Sequence, residues 1–417
     1  MKIYRHLWNN IVTFENFKLA YKNATKGKKH YKEVKIIERK GVNRYLRQLL
    51  EEVKSKKYKV SDYDIFTRFT GEKVREIYRL PMKDRIVQHA LMNIIEPIFR
   101  ESFIKDTYSS IKGRGVHNGL KTIKRIVKSG KYKYYLKTDI HKCYPSLDKE
   151  ILKGKLANKF RDNDLLWLLF EIINSCDKGV PIGNYTSQYF NNFYFSELAH
   201  YFKEVLGLDT IWYCDDLSIF SDTKEKLHKV LPILNSKLAL LNVHIKENYQ
   251  IYNIEIRSVD MLGYKVRASH ILVRKTTKQR FIAKVSKMNF DKLTKKDINI
   301  LGSYWGIFCH ADCRHLWFKY TGMKTFKELN ITVHERDFVK DILYVPLIIH
   351  KTWNYVKGGQ DWLRFECTYT KENKTYDRVY ISTSAEKLVE AGKQFNVNVL
   401  PFQTTIVVDD KGFYEFT

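Results

Sequence analysis

The sequence has no long hydrophobic run, few cysteines and a shortage of acidic residues. No apolar stretch is long enough to span a membrane, and the polar, charged opening MKIYRHLWNN predicts no signal peptide. The six cysteines do not have the spacing of a disulfide framework, which a chain of this size does not need. These features predict a reduced, cytoplasmic protein and make membrane binding the weaker hypothesis.

Positive charge and aromatic residues are abundant instead. The 417 residues include 74 Lys and Arg against 46 Asp and Glu, a formal net charge of +28. The basic residues run through the first 130 positions and recur over 265–300, so the excess is not a tail. Twenty-eight Tyr and 24 Phe can fill a core and also stack on bases. A nucleic acid is therefore the simplest partner.

Residue patterns predict a mixed α and β chain of two to four units. We expect basic helices over 1–60, extended chain over 64–80, and helices over 84–103, 113–130, 146–160, 163–175, a long one within 179–207, 224–242 and 276–325. We expect a strand over 132–140, hairpins at 211–220 and 259–275, and strand–helix–strand–turn–strand over 377–417 with DDKG as the turn. The change of character near 336 predicts a separate C-terminal unit.

Two adjacent carboxylates, Asp215 and Asp216, lie between hydrophobic residues in IWYCDDLSIF. Alone, this pattern fits a polar β-turn. A third carboxylate, Asp139, ends the strand of LKTDIHKCY, and the glycine-containing turn PIGNYTSQ lies between the two. Carboxylates at the ends of neighbouring strands can hold two divalent cations, and Mg²⁺ prefers such oxygen ligands. This pattern favours nucleotidyl transfer over the turn alone.

Six motifs, in order, resemble those of the reverse transcriptase family. YCDD at 213–216 is similar to the YxDD box, and LKTDIHKCY to the first carboxylate motif. The other similar stretches are 73–99, 111–120, GVPIGNYTSQ at 179–188 and the primer-grip-like VDMLGYKV at 259–266. One motif alone would be weak support, whereas six in the right order and spacing are strong support.

The resemblance implies an α+β, right-hand polymerase fold. It implies a basic helical N-terminal extension at 1–70, fingers and palm at 71–270, a helical thumb at 271–334 and a small C-terminal α+β accessory domain at 335–417. The implied activity is RNA-directed DNA synthesis with two Mg²⁺ ions, dNTPs, a structured RNA template and a cDNA product. We expect the basic N-terminal helices and the thumb to bind much of the RNA. An accessory protein or a homo-oligomer is a further possible partner.

The resemblance also assigns roles to individual residues. The metal ligands are Asp139, Ile140 (through its backbone), Asp215 and Asp216, and the general acid is Lys246. The nucleotide-binding residues are Lys73, Arg75, Tyr144, Ile182 and Gly183. The template and primer contacts are Ser187, Gln188, Tyr213, Leu262, Gly263 and Tyr264.

Simpler alternatives stay open for several of these residues. Tyr144 matches a gate that excludes a ribose 2′-hydroxyl, but it also fits a core aromatic residue. Lys73 and Arg75 match a triphosphate clamp, but they also fit a solvated basic strand. Lys246 matches a general acid, but many other lysines lie near it in the sequence. CHADCRH at 309–315 could suggest zinc, but structural zinc needs four well-placed ligands, and we favour a helix.

The resemblance leaves two groups within the family as alternatives for this chain. The pattern IGxxxSQ, which begins at Ile182, resembles the form in diversity-generating retroelement reverse transcriptases, whose copying is error-prone at adenines. The thumb segment at 303–317 resembles the same group. Cys214 and the added C-terminal unit instead resemble class 2 defence-associated reverse transcriptases, which protect bacteria against phage. A template-independent terminal transferase and a non-catalytic RNA-binding protein are the competing functions. The three carboxylates argue against the second, because a protein that only binds has no need for clustered like charges.

Overall fold

The predicted α+β class is confirmed by the computed structural model, in which helices and strands alternate along the chain. The structure describes residues 2–70, 73–290, 293–323, 346–357, 360–371, 374–383, 388, 402–408 and 414–416. Contacts divide the chain into two units, 1–287 with 306–315 and 288–305 with 316–417. The predicted four-part division remains a prediction, and its boundary at 334/335 lies outside the described residues.

The N-terminal 60 residues are mainly helical, as predicted. The elements are β1 (Tyr4–Arg5), α1 (Trp8–Ile11), α2 (Phe14–Thr25), α3 (Lys32–Lys40), α4 (Val42–Lys54), the hairpin β2 (Asp64–Thr70) and β3 (Lys73–Arg79), and α5 (Met82–Glu101). Each helix buries an apolar stripe, so that Phe17 of α2 and Leu46 of α4 are fully buried. Helix α2 packs against α5, which connects the basic helices to the core.

The middle of the first unit alternates helices and strands. Its elements are α6 (Val116–Lys128), β4 (Tyr134–Asp139), α7 (Cys143–Ser146), α8 (Lys149–Lys159), β5 (Phe160–Arg161), α9 (Asn163–Asn174), α10 (Tyr185–Tyr194), α11 (Ser196–His200), a π-helix (Tyr201–Val205), β6 (Asp209–Tyr213), β7 (Asp216–Ser221), α12 (Lys224–Ala239) and β8 (Gln250–Asn253). Side-chain caps begin several helices: Asp148 caps α8, Asp162 caps α9 and Thr223 caps α12.

One sheet in this region brings separate motifs together. Its strand order is β6-β7-β4-β8, and each neighbouring pair is antiparallel. Strand β4 therefore lies between the YCDD hairpin and β8. The register pairs Asp139, the last residue of β4, with Asp216, the first residue of β7. Two carboxylates from distant parts of the sequence are thus neighbours at one end of the sheet.

The long helix predicted within 179–207 is interrupted. Helix α10 ends at Tyr194, and Phe195 (φ −94°, ψ 0°) leaves the regular helical path before α11 and the π-helix. The Phe195 ring stacks on Trp212 of β6, with ring centroids 5.9 Å apart. Because sequence periodicity cannot show a tertiary contact, the break was not predictable from it.

The predicted second hairpin at 259–275 has a third strand. Strands β9 (Val259–Met261), β10 (Tyr264–Val266) and β11 (Ile271–Val273) form an antiparallel sheet in the order β11-β10-β9. Helices α13 (Lys275–Val285), α14 (Lys295–Phe308) and α15 (Arg314–Thr321) follow, in agreement with the helical prediction for 276–325. Among the described residues, no helix is both long and apolar enough to cross a bilayer.

The described C-terminal residues form a five-stranded sheet. Strands β12 (Pro346–Lys357), β13 (Gln360–Lys371), β14 (Lys374–Thr383), β15 (Phe402–Val408) and β16 (Tyr414–Phe416) have the order β14-β13-β12-β15-β16. Alternate residues such as Leu347, Ile349 and Phe365 are fully buried. Strands were predicted only within 377–417, so β12 and β13 are additions. The predicted DDKG turn lies outside the described residues, and so does the predicted helix, apart from Leu388.

Candidate active site at the end of the β4–β7 sheet

The carboxylate cluster, Asp139, Asp215 and Asp216, lies where β4 meets the turn between β6 and β7. Cys214 adopts a left-handed φ of 59°, which reverses the chain within the YCDD turn. The Ile140 backbone N–H donates to the Asp215 carbonyl over 2.9 Å and fixes this turn against the end of β4. The fold therefore brings together the three carboxylates and the backbone of Ile140, as the resemblance implies.

The electrostatics of the pair Asp139 and Asp216 show that their charges are mutually unfavourable. Burial, reinforced by the hydrogen bond and charge of Asp139, raises the pKa of Asp216 to about 8. Burial also opposes the charge of Asp139, but hydrogen bonds from Asp216 and Lys246 outweigh it, and the pKa of Asp139 is lowered. The pair therefore holds one proton near neutral pH, in a position where an oxygen-binding cation would be favourable.

Lys246 lies beside this pair. Its ammonium donates to Asp139 Oδ2 over 3.0 Å, and both side chains are partly exposed. The Lys246 backbone N–H also donates to the Asp139 carbonyl over 2.9 Å. The predicted proton donor is thus within reach of the carboxylates, although its role as an acid stays a prediction.

The donor set fits Mg²⁺ by chemistry, because all three side chains present carboxylate oxygens. The pairing of Asp139 with Asp216 places two of them together. Within the part of the chain that the structure describes, no three His, Cys, Asp or Glu side chains already form a metal-binding group. The residues that would complete a site here are Asp215 and the Ile140 carbonyl, and their role as ligands stays a prediction.

Tyr144 lies against the YCDD turn. Its hydroxyl is 3.1 Å from the Cys214 thiol, and burial raises the pKa of Cys214 to about 11, so the thiol is protonated. Asn191 of α10 extends the network, because its side-chain N–H donates to the Cys214 carbonyl over 3.4 Å and its Oδ1 accepts from the Cys143 thiol over 2.8 Å. Tyr144 thus contacts the YCDD turn and also packs against the hydrophobic core, and its role as a gate stays a prediction.

The glycine-containing turn at 182–183 contacts the hairpin β2–β3. The Tyr78 N–H of β3 donates to the Ile182 carbonyl over 2.9 Å. Gly183 has φ +135°, and a Cβ there would lie 2.2 Å from the Tyr78 carbonyl oxygen. Only glycine fits this contact. Lys73 and Arg75 belong to the same strand β3, but their side chains lie outside the described residues.

The predicted template and primer residues lie in three places. Ser187 and Gln188 lie in the first turn of α10, where Ser187 is buried with its hydroxyl unpaired and Gln188 is exposed. Tyr213 ends β6 next to the carboxylate cluster. Leu262 and Gly263, both with positive φ, form the turn before Tyr264 at the start of β10.

Sequence reasoning missed the residues that support the site. Asn191 has no motif of its own, and His244 was not considered, although its Nε2 lies 2.8 Å from His141 Nδ1 beside the cluster. Cys214 was noted only as a mark of lineage. Its contact with Tyr144 depends on how β4 and β7 pair, which a sequence pattern does not specify.

Comparison with known proteins agrees with this geometry. Residues 68–266 match the family described as "Reverse transcriptase (RNA-dependent DNA polymerase)". The chain is 24% identical over 249 residues to the retron Ec73 reverse transcriptase of Escherichia coli, covering 55% of this chain and 77% of that protein. It is 25% identical over 138 residues to the group II intron-encoded protein LtrA of Lactococcus lactis subsp. cremoris, covering 31% of this chain.

These matches identify residues 68–266 as a reverse transcriptase domain, and the predicted resemblance to bacterial reverse transcriptases is confirmed for this region. The chain spans 23% of the length of LtrA. It is also similar to apo telomerase from Candida Tropicalis, with a TM-score of 0.45 and 14% identity, covering 65% of this chain and 56% of that one.

Proposed function

We propose that this protein is an RNA-directed DNA polymerase that copies a dedicated structured RNA into cDNA. The observation that carries the proposal is the pairing of Asp139 with Asp216 inside a domain of the reverse transcriptase family. A net charge of +28 suits an RNA partner, whose binding should weaken steeply as salt rises. We also propose a cytoplasmic location, on the cysteine argument given above.

The proposed mechanism assigns a task to each part of the site. Asp139, Asp215 and Asp216, with the Ile140 carbonyl, would hold two Mg²⁺ ions, which when bound activate a 3′-hydroxyl and stabilise the leaving pyrophosphate. The Lys246 ammonium, 3.0 Å from Asp139, is placed to hold and deliver a proton to the departing phosphate. Lys73 and Arg75 would bind the triphosphate from β3.

Selection of the nucleotide is proposed to depend on Tyr144 and on the turn at 182–183. The Tyr144 ring would block a ribose 2′-hydroxyl, and its contact with Cys214 supports this gate, because the thiol limits where the ring can lie. The common bacterial form of this turn resembles QGxxxSP, and this chain has the apolar Ile182 in place of the glutamine. Loss of that hydrogen-bonding group would relax base discrimination.

The test is to purify the protein from its host, sequence the RNA that accompanies it, and supply dNTPs with Mg²⁺. The double variant Asp215→Ala, Asp216→Ala is the comparison. We expect cDNA complementary to one specific RNA from the native protein and none from the variant. DNA growth without any template would instead establish a terminal transferase, and bound RNA without any DNA product would establish a binding protein.

The sequence of the cDNA separates the two biological roles that we propose as alternatives. Errors concentrated at template adenines would indicate retroelement diversification, which IGxxxSQ favours. Faithful or repeated copies of a non-coding RNA would indicate defence against phage, which Cys214 and the C-terminal unit favour.

A further inference from the structure

A second concentration of charge lies in the first unit, in a cavity of about 600 Å³ that shares no residue with the carboxylate cluster. We name it the cation pocket. Its wall includes one carboxylate, Asp312, and six basic residues: His117, Lys121, Lys124, His310, Arg314 and His315. Three permanent cations and three imidazoles therefore line a volume that is typical of a small-molecule site.

Helix α6 forms one wall of the cation pocket. His117, Lys121 and Lys124 recur at helical spacing and so share one face. The other face is fixed, because Ile123 is fully buried and a Cβ at Gly119 would lie 2.6 Å from Leu262 Cδ1. The basic side chains are thus presented by a helix that is packed closely and cannot shift away.

The segment 309–315 forms the opposite wall and is fastened to β11. The Asp312 N–H donates to the Ile271 carbonyl over 2.7 Å, and the Ile271 N–H donates to Asp312 Oδ2 over 2.8 Å. The Tyr264 hydroxyl donates to the Ile307 carbonyl over 3.0 Å, which fixes the approach to this segment. The cavity is therefore built by defined contacts on both sides.

The three permanent cations that line the pocket outnumber its one carboxylate, Asp312. Lys121, Lys124 and Arg314 take part in none of the ion pairs between described residues. Asp312 is the carboxylate in the wall, and one of its oxygens already accepts from a backbone N–H. The His117 and His310 rings lie close together in the wall, with their centroids 3.7 Å apart.

The pKa of His310 is affected by the same excess of positive charge. Burial, followed by the positive charges of His117 and Lys121, lowers the pKa of His310. Like charges therefore outnumber opposite ones here, as they do in the carboxylate cluster, where three carboxylates have Lys246 beside them. An anion in the cavity would reduce the repulsion among the basic side chains that line it.

We infer that the cation pocket binds a multiply charged phosphate group, of the kind carried by a nucleoside triphosphate or by the 5′ end of an RNA. A guanidinium and two ammonium groups suit phosphate oxygens. One phosphodiester carries a single charge, whereas a terminal triphosphate carries about four, which matches three permanent cations better. Such binding would be separate from the nucleotide that is proposed to react at Asp139 and Asp216.

The test measures binding of inorganic tripolyphosphate by calorimetry, in EDTA, so that no metal-bound nucleotide forms at the carboxylate cluster. The variant Lys124→Glu, Arg314→Glu removes two cations of the pocket. The matched control, Lys112→Glu, Lys128→Glu, makes the same charge change at exposed residues before and at the end of α6, outside the pocket. Thermal unfolding checks that both variants fold.

We expect one tripolyphosphate per chain, a Kd at least about tenfold weaker in the pocket variant, and less than about threefold weaker in the control. Equal weakening in both variants would show a general charge effect and overturn the inference. Absence of saturable binding to the native protein would overturn it as well. Neither outcome depends on polymerase activity, so the proposed function stands or fails separately.

Two further titrations identify the source of the phosphate. Binding of ATP that the pocket variant weakens would indicate a nucleoside triphosphate. Tighter binding of a 5′-triphosphorylated RNA than of the same RNA with a 5′-hydroxyl, with the preference lost in the pocket variant, would indicate an RNA end. If RNA binds equally with either end and ATP does not bind, the pocket contacts only backbone charge and the inference is wrong.

Discussion

The carboxylate cluster and the cation pocket collect charges of opposite sign by different means. In the first, the register of β4 with β7 pairs Asp139 with Asp216, and a proton shared near neutral pH reduces the repulsion. In the second, α6 and the segment 309–315 bring Lys121, Lys124 and Arg314 together around a single carboxylate, Asp312, and these cations form no ion pair with a described residue. In both regions, the unfavourable clustering of like charges indicates a ligand of the opposite sign.

We expect the largest effect when the carboxylates are substituted, because DNA synthesis should be lost while binding at the cation pocket is kept. The variant Asp215→Ala, Asp216→Ala should reduce DNA synthesis by at least about 1,000-fold, because no other group can replace the cation ligands. Primer extension on an RNA template measures it. Tripolyphosphate binding in EDTA should stay within about twofold of the native value, since the cation pocket shares no residue with the cluster. If both properties are lost together, the two regions are not independent.

The next effect concerns discrimination between deoxyribonucleotides and ribonucleotides. Tyr144→Ala should lower the preference for dATP over ATP by about 10- to 100-fold, because the ring that meets the 2′-hydroxyl is removed. The ratio of kcat/KM for the two nucleotides measures it. Tyr144→Phe keeps the ring but loses the hydroxyl that contacts Cys214, so its preference should fall by no more than about 3- to 10-fold. An unchanged ratio in Tyr144→Ala would mean that this side chain is only part of the core.

A smaller change is expected from Cys214, which touches the Tyr144 hydroxyl at 3.1 Å. Cys214→Ala removes this partner without placing a β-branched residue at the positive φ of this position, so the preference for dATP over ATP should fall by about 3- to 10-fold. Cys214→Ser keeps a hydrogen-bonding group and is the matched control. Equal ratios in the alanine and serine variants would show that the contact does not position the ring.

The last effect concerns the stability of the metal-free protein rather than its activity. The pKa of Asp216 is raised to about 8 in the folded state, so between about pH 4 and pH 8 the folded protein holds a proton that the unfolded chain has lost. Stability should therefore fall as pH rises through this window, by up to about 1.4 kcal/mol per pH unit. The lowered pKa of Asp139 acts in the other direction, and its contribution is lost only as pH falls below about 4.

Thermal unfolding in EDTA at pH 5 and pH 8 measures this dependence. Asp216→Asn has no proton to lose, so its melting temperature should fall less between the two pH values than that of the native protein. Parallel behaviour of the two proteins would contradict the shared proton. In that case the carboxylate cluster would not be the electrostatic counterpart of the cation pocket.

Much of the first unit was predictable because its signals are local. Alternating apolar residues predicted the strand that became β4 and the hairpin β6–β7, and helical spacing predicted α5 and α6. Motif order predicted that Asp139 and Asp216 would meet, although the two are far apart in sequence. The family match over 68–266 confirms the predicted reverse transcriptase domain, whereas the roles of these two residues stay predictions.

Other features depend on contacts between distant residues. The interruption at Phe195 follows from a ring stacked on Trp212, and the position of Tyr144 follows from the turn that carries Cys214. The cation pocket needs His117 and His310 to meet across 193 positions of the chain, and neither stretch shows this by its own composition.

The sequence by itself determined the charge of the chain, its main helices and strands, and the family of its central domain, because composition, periodicity and motifs are properties of consecutive residues. Tertiary structure alone decided which side chains share a proton, which thiol holds Tyr144 and where cations gather without a partner. Those properties depend on burial and on distances of a few ångströms, which arise only when β4, β7, α6 and the segment 309–315 are packed in place.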